Sequence, residues 1–158
     1  MTITSPLRSF VRSFQRRASR PAHPDADAGI TLPRRIDDPA TAARVAHDLL
    51  RHWKDDVTLA LYLDDRHRLV GTAVVAIGRV QAARFSARPI LQGSQACRAT
   101  GCILVRFHRF GPATPGVIEE SSYWAIASAA IRHGLVLVDH VVVVANGEHS
   151  SCATLSSL

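Results

Sequence analysis

The sequence of 158 residues predicts one α/β domain in which helices cover a β-sheet. Segments of strand-like composition alternate with segments whose apolar residues recur at helical spacing. Hydrophobic residues make up 47% of the chain, which supports a buried core and excludes a largely disordered protein. No apolar run approaches the ~18 residues of a transmembrane helix, so a soluble protein is expected.

A basic segment, residues 1–36, precedes the predicted domain. Ser5-Pro6 provides an N-cap followed by a proline at the first helical position. Apolar residues then recur on one helical face, with arginines between them. The apolar residues are Leu7, Phe10, Val11 and Phe14, and the arginines are Arg8, Arg12, Arg16, Arg17 and Arg20.

This basic amphipathic helix is compatible with several roles. It suits an anionic membrane surface, a groove on a partner protein or nucleic-acid phosphates, with Arg8, Arg12, Arg16 and Arg17 as the candidate binding residues. It equally suits packing on its own domain, or a solvated tail. A transit peptide is a weaker interpretation, and no secretory signal is present. Prolines up to Pro33 predict a linker.

The domain itself is predicted to occupy residues 37–158 and to open with a helix. Asp38-Pro39 is a second N-cap and proline pair, and apolar residues up to Trp53 form one helical face. A strand, a short turn and a second strand follow, and Gly78 separates these from a third strand. The three strands are predicted over residues 57–63, 69–77 and 79–85.

The second half of the domain continues the alternation. A helix from Pro89 to about Arg98 precedes a buried strand, and a loop rich in glycine and proline leads into the next helix. Gly134 ends that helix, and the tail from Gly147 is small and polar. The buried strand, the loop and the helix are predicted over residues 102–107, 111–116 and 117–133, and one or two further strands over residues 135–144.

The charge and the cysteines bear on function and location. The net charge is +6, and Lys54 is the only lysine among 19 basic residues. This surplus favours contact with phosphates, but no motif for reading DNA or RNA sequence is present. The cysteine count is odd, which argues against a disulfide framework and favours the cytoplasm. We expect Cys97, Cys102 and Cys152 to be buried thiols rather than a zinc site.

The run Leu63-Asp64-Asp65-Arg66-His67-Arg68-Leu69-Val70-Gly71 resembles the strand-turn-strand opening of the RadC-like JAB/MPN (JAMM) domain. Ile103-Leu104-Val105 and Leu137-Val138-Asp139-His140 fall where that family has equivalent strands. The resemblance extends from about Val57 to Val144. It implies a JAB/MPN-like layered sheet with flanking helices, a cytidine-deaminase-like architecture. It also implies descent from zinc isopeptidases.

The family's zinc motif is His-x-His-Pro-Ser-Gly followed by Thr-Pro-Ser-x-x-Asp. Its two histidines and its aspartate hold the metal, an upstream glutamate is the general base, and serine supports the transition state. In this sequence His108, Gly111, Thr114 and Pro115 match the motif. The departures are Arg106 for the first histidine, Gly116 for the serine and Glu119 for the aspartate.

These departures imply a degenerate metal site. Arginine has no lone pair to offer a metal, and no acidic residue lies between Arg66 and Ile118 to act as the upstream base. An earlier acid, Asp65 or before, is expected to lie in the wrong turn. No catalytic residue and no cofactor are therefore predicted. We expect Arg106 to pair with Glu119, with His108 beside them, or else all three to face solvent.

The resemblance and the departures together favour a non-catalytic protein that binds a protein or another macromolecule. One alternative is a zinc-dependent, isopeptidase-like hydrolase whose altered ligands are His108, Glu119 and His140. Another is electrostatic nucleic-acid binding linked to DNA repair. Asp139 and His140 are otherwise expected to have core or capping roles, and His47 and His52 to face solvent.

Overall fold

The computed structural model describes residues 33–78 and 86–155. Within these residues, helices and strands alternate as the sequence predicts, so the predicted α/β fold class is confirmed. The elements are α1 (Pro39–Leu50), β1 (Val57–Leu63), β2 (Leu69–Ile77), α2 (Arg88–Cys97), β3 (Gly101–His108), α3 (Val117–Ile131), β4 (Val136–Val144), β5 (His149–Ser151) and α4 (Cys152–Leu155).

One predicted element position is corrected by the structure, and two others lie outside the described residues. The tail after Gly147 is not merely polar, because it contains β5 and the short helix α4. Its serines gave no strand signal, since β5 is held by backbone pairing with β4 rather than by apolar side chains. The third strand predicted over residues 79–85 and the N-terminal amphipathic helix lie outside the described residues.

The sheet has five strands in the order β2-β1-β3-β4-β5. β1 is antiparallel to both of its neighbours, whereas β3 and β4 are parallel. A parallel pair needs a crossover connection, and α3 supplies it. Every residue of β1 is buried, and so are all residues but the last of β3, the middle strand of the sheet.

The face of the sheet covered by α1 is apolar. Odd-numbered residues of β1 and β3 point towards it, since side chains alternate along a strand. They pack with Val45 and Leu50 of α1, and with Ile36, the last residue of the predicted linker. The strand residues in this cluster include Leu59, Leu61, Val105 and Phe107.

The opposite face, covered by α2 and α3, is mixed. Ala60, Tyr62 and Leu104 pack against Ile90 of α2 and Ile126 of α3. The buried Tyr62 hydroxyl donates a hydrogen bond to the Ile90 carbonyl at 3.0 Å. Even-numbered residues nearer one end of the strands are polar, and the candidate site lies there.

The two long helices that flank β1–β4 begin in different ways. The Asp38 carboxylate accepts from the Thr41 N–H at 2.7 Å, and Pro39 occupies the first turn, as predicted for α1. α3 begins after Gly116, whose N–H is capped by a side chain from within the helix. Among the described residues, no helix is long and apolar enough to cross a membrane.

The expectation that His47 faces solvent is wrong. Its Nε2 lies 2.9 Å from the Ala145 carbonyl oxygen, and its ring centroid lies 6.4 Å from that of Phe107. His47 follows the buried Ala43 by one helical turn, so it also faces the sheet. His52 lies beyond the end of α1 and is exposed, as expected.

Candidate functional site

Polar side chains meet where β3 ends and β1 begins. The antiparallel register pairs Val57 with Phe107 and Thr58 with Arg106. Asp56, one residue before β1, is thereby placed beside His108 at the end of β3. The first turn of α3 adds Glu119 from the helix layer. Gly78, which follows β2, adds a backbone carbonyl to the same cluster.

Arg106 lies at the centre of this cluster and is only 4% exposed. Its guanidinium donates to Thr58 Oγ1 at 3.1 Å and to the Gly78 carbonyl at 2.7 Å. Nη2 also lies 3.9 Å from Asp56 Oδ2. Burial lowers the pKa of Arg106, and the nearby carboxylates of Asp56 and Glu119 oppose that shift. The guanidinium remains charged at neutral pH, because its ordinary pKa is above 12.

His108 lies between two carboxylates. Its Nδ1 is 3.1 Å from Asp56 Oδ2, and its Nε2 is 3.4 Å from Glu119 Oε1. A neutral imidazole can donate to only one of these groups, whereas a protonated ring can donate to both. Both ring nitrogens therefore face protein partners.

Asp56 is the residue of the site that sequence reasoning missed. Its Oδ1 accepts from the Arg109 N–H at 3.0 Å, and its other oxygen faces His108. Burial would raise the pKa of Asp56, but these hydrogen bonds and the charge of Arg106 lower it overall. The expectation that an upstream acid would lie in the wrong turn is therefore wrong. Only the pairing of β1 with β3 could have revealed this acid, since the two residues are far apart in sequence.

Glu119 has a local role in addition to its contact with His108. Its Oε2 accepts from the Gly116 N–H at 2.9 Å, which caps the start of α3. Burial would raise the pKa of Glu119, and the backbone N–H groups of Glu119 and Gly116, with His108 nearby, lower it overall.

Gly116 and Glu119 constrain each other. A Cβ atom on residue 116 would lie 2.9 Å from Glu119 Oε2, closer than carbon and oxygen normally approach. A side chain at position 116 would therefore push the glutamate away from its cap. The longer acid and the missing side chain are mutually compatible.

The expected ion pair between Arg106 and Glu119 is not present among the described residues. Arg106 faces Asp56, and Glu119 faces His108 and the backbone of Gly116. The guanidinium bonds instead to the side chain of Thr58 in β1 and to the backbone carbonyl of Gly78 after β2. The alternative, in which all three side chains face solvent, is also wrong, because Arg106 is buried and the other two are mostly buried.

Behind this cluster lies His140 of β4, which is 2% exposed. Neither of its ring nitrogens has a hydrogen-bond partner among the described residues, and the same holds for the buried hydroxyl of Ser122. The Glu119 backbone lies near the ring without reaching hydrogen-bond geometry. Burial lowers the pKa of His140 to about 4, so the ring is neutral at pH 7.

Asp139 has a capping role, as expected. Its carboxylate accepts from the Ser151 hydroxyl at 2.6 Å and from the Ala153 N–H at 3.1 Å. It thereby connects β4 to the end of β5 and to α4.

The remaining predicted site residues lie elsewhere. Cys102 is buried in β3, Cys152 is buried in α4, and Cys97 of α2 is partly buried. The expected burial is confirmed for Cys102 and Cys152 and is only partial for Cys97, and burial raises the pKa of each thiol. Within residues 33–78 and 86–155, no three His, Cys, Asp or Glu side chains are grouped so as to hold a metal ion. The candidate binding residues Arg8, Arg12, Arg16 and Arg17 lie outside the described part of the chain.

An open cleft of about 670 Å³ adjoins the site. One wall is the loop after His108, represented by Pro112, Ala113 and Thr114, and the other is the turn between β4 and β5. The Ala145 N–H donates to the His108 carbonyl at 3.0 Å, so the second wall begins beside the site. The residues of that wall are Asn146, Gly147, Glu148, His149 and Ser150.

Comparison with known proteins gives a consistent result. A family model for the RadC-like JAB domain matches residues 36–156. A UPF0758 protein of Acaryochloris marina is 32% identical over 123 residues, which cover 78% of this chain and 50% of the relative. One of Nostoc is 30% identical over 125 residues, covering 78% and 50%, respectively. One of Actinobacillus succinogenes is 27% identical over 114 residues, covering 72% and 52%. The chain spans about half the length of these curated relatives.

Proposed function

The chain belongs to the RadC-like JAB domain family, and we propose that it is a non-hydrolytic member that binds a macromolecule without cleaving it. The observation that carries this proposal is the buried guanidinium of Arg106. It stands where the family motif has its first histidine, and it is held by Thr58 and the Gly78 carbonyl.

The donor chemistry at the family's metal position supports the proposal. A catalytic zinc ion needs three neutral or anionic protein ligands and a fourth open position. Arg106 offers a positive charge in place of one ligand, and both nitrogens of His108 face carboxylates. These side chains fit an ion-pair network better than a zinc site, so they support no catalytic step through a metal.

The candidate bases also favour a non-hydrolytic role. A general base works best when its pKa lies near the working pH. The pKa values of Asp56 and Glu119 are lowered instead, because both carboxylates accept backbone hydrogen bonds. Each of them therefore stabilises the local structure as an anion and is a weak proton acceptor.

A protein partner is the class of macromolecule that the cleft beside the site favours. Its lining includes His149 and Ser150 of β5, an edge strand of the sheet, and the edge of a sheet can pair with an extended polypeptide. The cleft residues carry one acidic group, Glu148, and no arginine or lysine, so a phosphate backbone is not favoured there.

Metal retention and restoration of the histidine test the proposal. The full chain is incubated with zinc, dialysed and analysed for bound metal, and its cleavage of isopeptide and peptide substrates is measured. We expect the natural chain to retain no stoichiometric zinc and to show no cleavage. We expect Arg106→His to increase zinc retention, because it adds an imidazole beside His108 and Glu119. Arg68→His, at an exposed arginine paired with Asp64, is the matched control and should not do so.

One result would overturn the proposal. Zinc bound at one ion per natural chain, lost on His108→Ala and accompanied by peptide cleavage, would identify an active hydrolase with altered ligands. The binding role is tested separately by selecting a random peptide display library on the natural chain. Selected peptides should bind more weakly to Thr114→Arg in the cleft than to Thr100→Arg, an exposed control remote from it. Failure to select any such peptide would contradict a role in polypeptide binding.

A further inference from the structure

The outward face of α3 is apolar. Val117 is 80% exposed, Trp124 is 58% exposed and Ile131 is 61% exposed. Ser121 and Ser128 lie between them and are also exposed. The spacing of these five residues, alternately four and three, places them in one line along the helix. We call this line the α3 stripe.

A helix whose outer face meets water normally carries charged residues there. On the exposed side of α3 the only charged residue is Glu120, and the helix contains neither lysine nor arginine. The opposite side of α3 is already packed on the sheet through Ser122, Ile126 and Ala130. The composition of the α3 stripe is therefore that of a covered surface.

We propose that the N-terminal segment of the same chain, residues 5–17, packs as an amphipathic helix on the α3 stripe. Its apolar face consists of Leu7, Phe10, Val11 and Phe14. The small side chains of Ser121 and Ser128 leave space between the larger ones of the stripe. Two phenylalanine rings four residues apart fit a surface in which large and small residues alternate.

The charges of the segment and of α3 are complementary. The segment contains four arginines and no acidic residue, and the chain as a whole carries +6. Glu119 and Glu120 are the only charged residues of α3, and Glu120 is exposed. The arginines of the segment are therefore attracted to this helix.

The described chain begins at residue 33, at a position from which the N-terminal segment can reach the α3 stripe. The Arg34 carbonyl accepts from the Leu69 N–H at 2.9 Å, so the chain enters beside the start of β2. From Leu69 the cross-strand register runs through Leu63 and Gly101 to Val136, the start of β4. α3 ends just before that strand. The entry point and the end of α3 therefore lie at the same end of the sheet.

Distances agree with this path. Three strand spacings of about 5 Å separate β2 from β4, and the helix layer lies about 10 Å above the sheet. The connection of residues 18–32 can span up to ~50 Å at about 3.3 Å per residue. A helix over residues 5–17 is ~20 Å long, which matches the ~21 Å between Val117 and Ile131 at 1.5 Å per residue.

A second copy of the chain is a weaker occupant for this surface. A stable interface between separate proteins buries about 800 Å² on each partner. The stripe offers three large side chains, and a fully buried aromatic residue contributes only about 150–250 Å². A tethered segment needs less area, because the linker gives it a high effective concentration.

The fluorescence of Trp124 tests the proposal in the full chain. Trp53→Phe leaves Trp124 as the only tryptophan, since the chain contains two. In this background Phe10→Asp with Phe14→Asp removes the apolar face of the segment. The matched control, Ser9→Asp with Ser13→Asp, adds the same two charges on the opposite face of the helix. Acrylamide quenching and the emission maximum are measured, with light scattering on the same samples.

We expect a monomer in which the phenylalanine variant raises the quenching constant roughly twofold and shifts the emission to the red, because an aromatic ring becomes hydrated. The serine variant should leave both values unchanged. Trp124 equally accessible in all three proteins would overturn the proposal. So would shielding that appears only in a dimer, or only when vesicles containing anionic lipid are added, since these results identify another occupant.

Discussion

The two faces of the sheet differ in the polarity of the side chains that they bury. The face under α1 is closed mainly by apolar side chains, from Ile36 to Val143, with His47 beside Phe107. The face under α2 and α3 contains three of the buried polar residues of the strands, namely Thr58, Arg106 and His140. One face therefore contributes mainly to stability, whereas the other buries groups that must be hydrogen-bonded or remain neutral. A functional site could thus form on the mixed face without loss of the apolar core.

The largest effect should follow from a cavity on the apolar face. Phe107 is 1% exposed, and Phe107→Ala should lower the free energy of unfolding by about 3–5 kcal/mol. Urea denaturation measures this loss. Phe110→Ala, three residues further along and 84% exposed, is the control and should change stability by less than about 0.5 kcal/mol. Equal losses from both variants would contradict the division between the faces.

The second effect belongs to the mixed face and depends on pH. The pKa of His140 is about 4 in the folded protein, whereas an unperturbed histidine has a pKa of 6.5. The unfolded chain therefore takes up a proton first as the pH falls. The contribution of neutral His140 to the free energy of unfolding should be fully present above pH 6.5. It should decline by on the order of 3 kcal/mol between pH 6.5 and about 4.

The charged neighbours of His140 define its controls. Glu119 and Asp139 favour the protonated ring, while burial and Arg106 oppose it. His140→Leu should flatten the dependence of stability on pH between 6.5 and about 4, because it removes the titrating group. His52→Leu, at an exposed position, should leave the slope in place. A slope that survives His140→Leu would assign the pH dependence to another group.

The third effect measures how much the hydrogen bonds of Arg106 contribute to the free energy of unfolding. Arg106→Met retains most of the stem but removes the bonds to Thr58 and Gly78, which should lower stability by about 1–3 kcal/mol. Thr58→Val removes one partner only. In a double-mutant cycle the two changes should couple by about 1 kcal/mol. Additive losses would show that the bond between Arg106 and Thr58 contributes nothing to stability.

The smallest effect concerns a single hydroxyl on the mixed face. Tyr62→Phe removes the bond to the Ile90 carbonyl and should lower stability by about 0.5–1.5 kcal/mol. Tyr123→Phe, on the partly buried Tyr123, is the comparison and should cost less. Thermal unfolding of both variants gives the difference. A larger loss from Tyr123→Phe would indicate that the outer edge of this face matters more than its centre.

Most of the fold could be predicted from local patterns. Helix starts such as Asp38-Pro39 and the runs of β1 to β4 carry their own signals, because side-chain period and capping act within a few residues. β5 carried no such signal, since its pairing with β4 depends on backbone groups. The polarity of His47 alone predicts exposure to solvent, whereas the direction in which α1 packs brings its ring beside Phe107.

The candidate site was predictable only in part. Arg106, His108, Gly116 and Glu119 could be located by their match to a motif. Asp56 could not, because its contact with His108 joins residues 52 apart and depends on which strands are neighbours. Arg106 faces Asp56 rather than Glu119 because Asp56 adjoins a strand of the sheet, whereas Glu119 belongs to the helix layer. The guanidinium of Arg106 is already bonded to Thr58 and to the Gly78 carbonyl, and within the described residues it forms no ion pair with the helix above the sheet.

The arrangement of strands also determines when the site can form as the chain folds. β1 and β2 are joined by a short turn and can pair early, because closing a small loop costs little entropy. The parallel pair of β3 and β4 needs the whole of α3 between its strands, so its closure costs more entropy. His140 joins Asp56 and Arg106 only after that second step. During synthesis, the antiparallel half can therefore become ordered with Asp56 and Arg106 already in place, while Glu119 and His140 await the last quarter of the chain. Refolding measured at Tyr62 should accordingly precede refolding measured at His140.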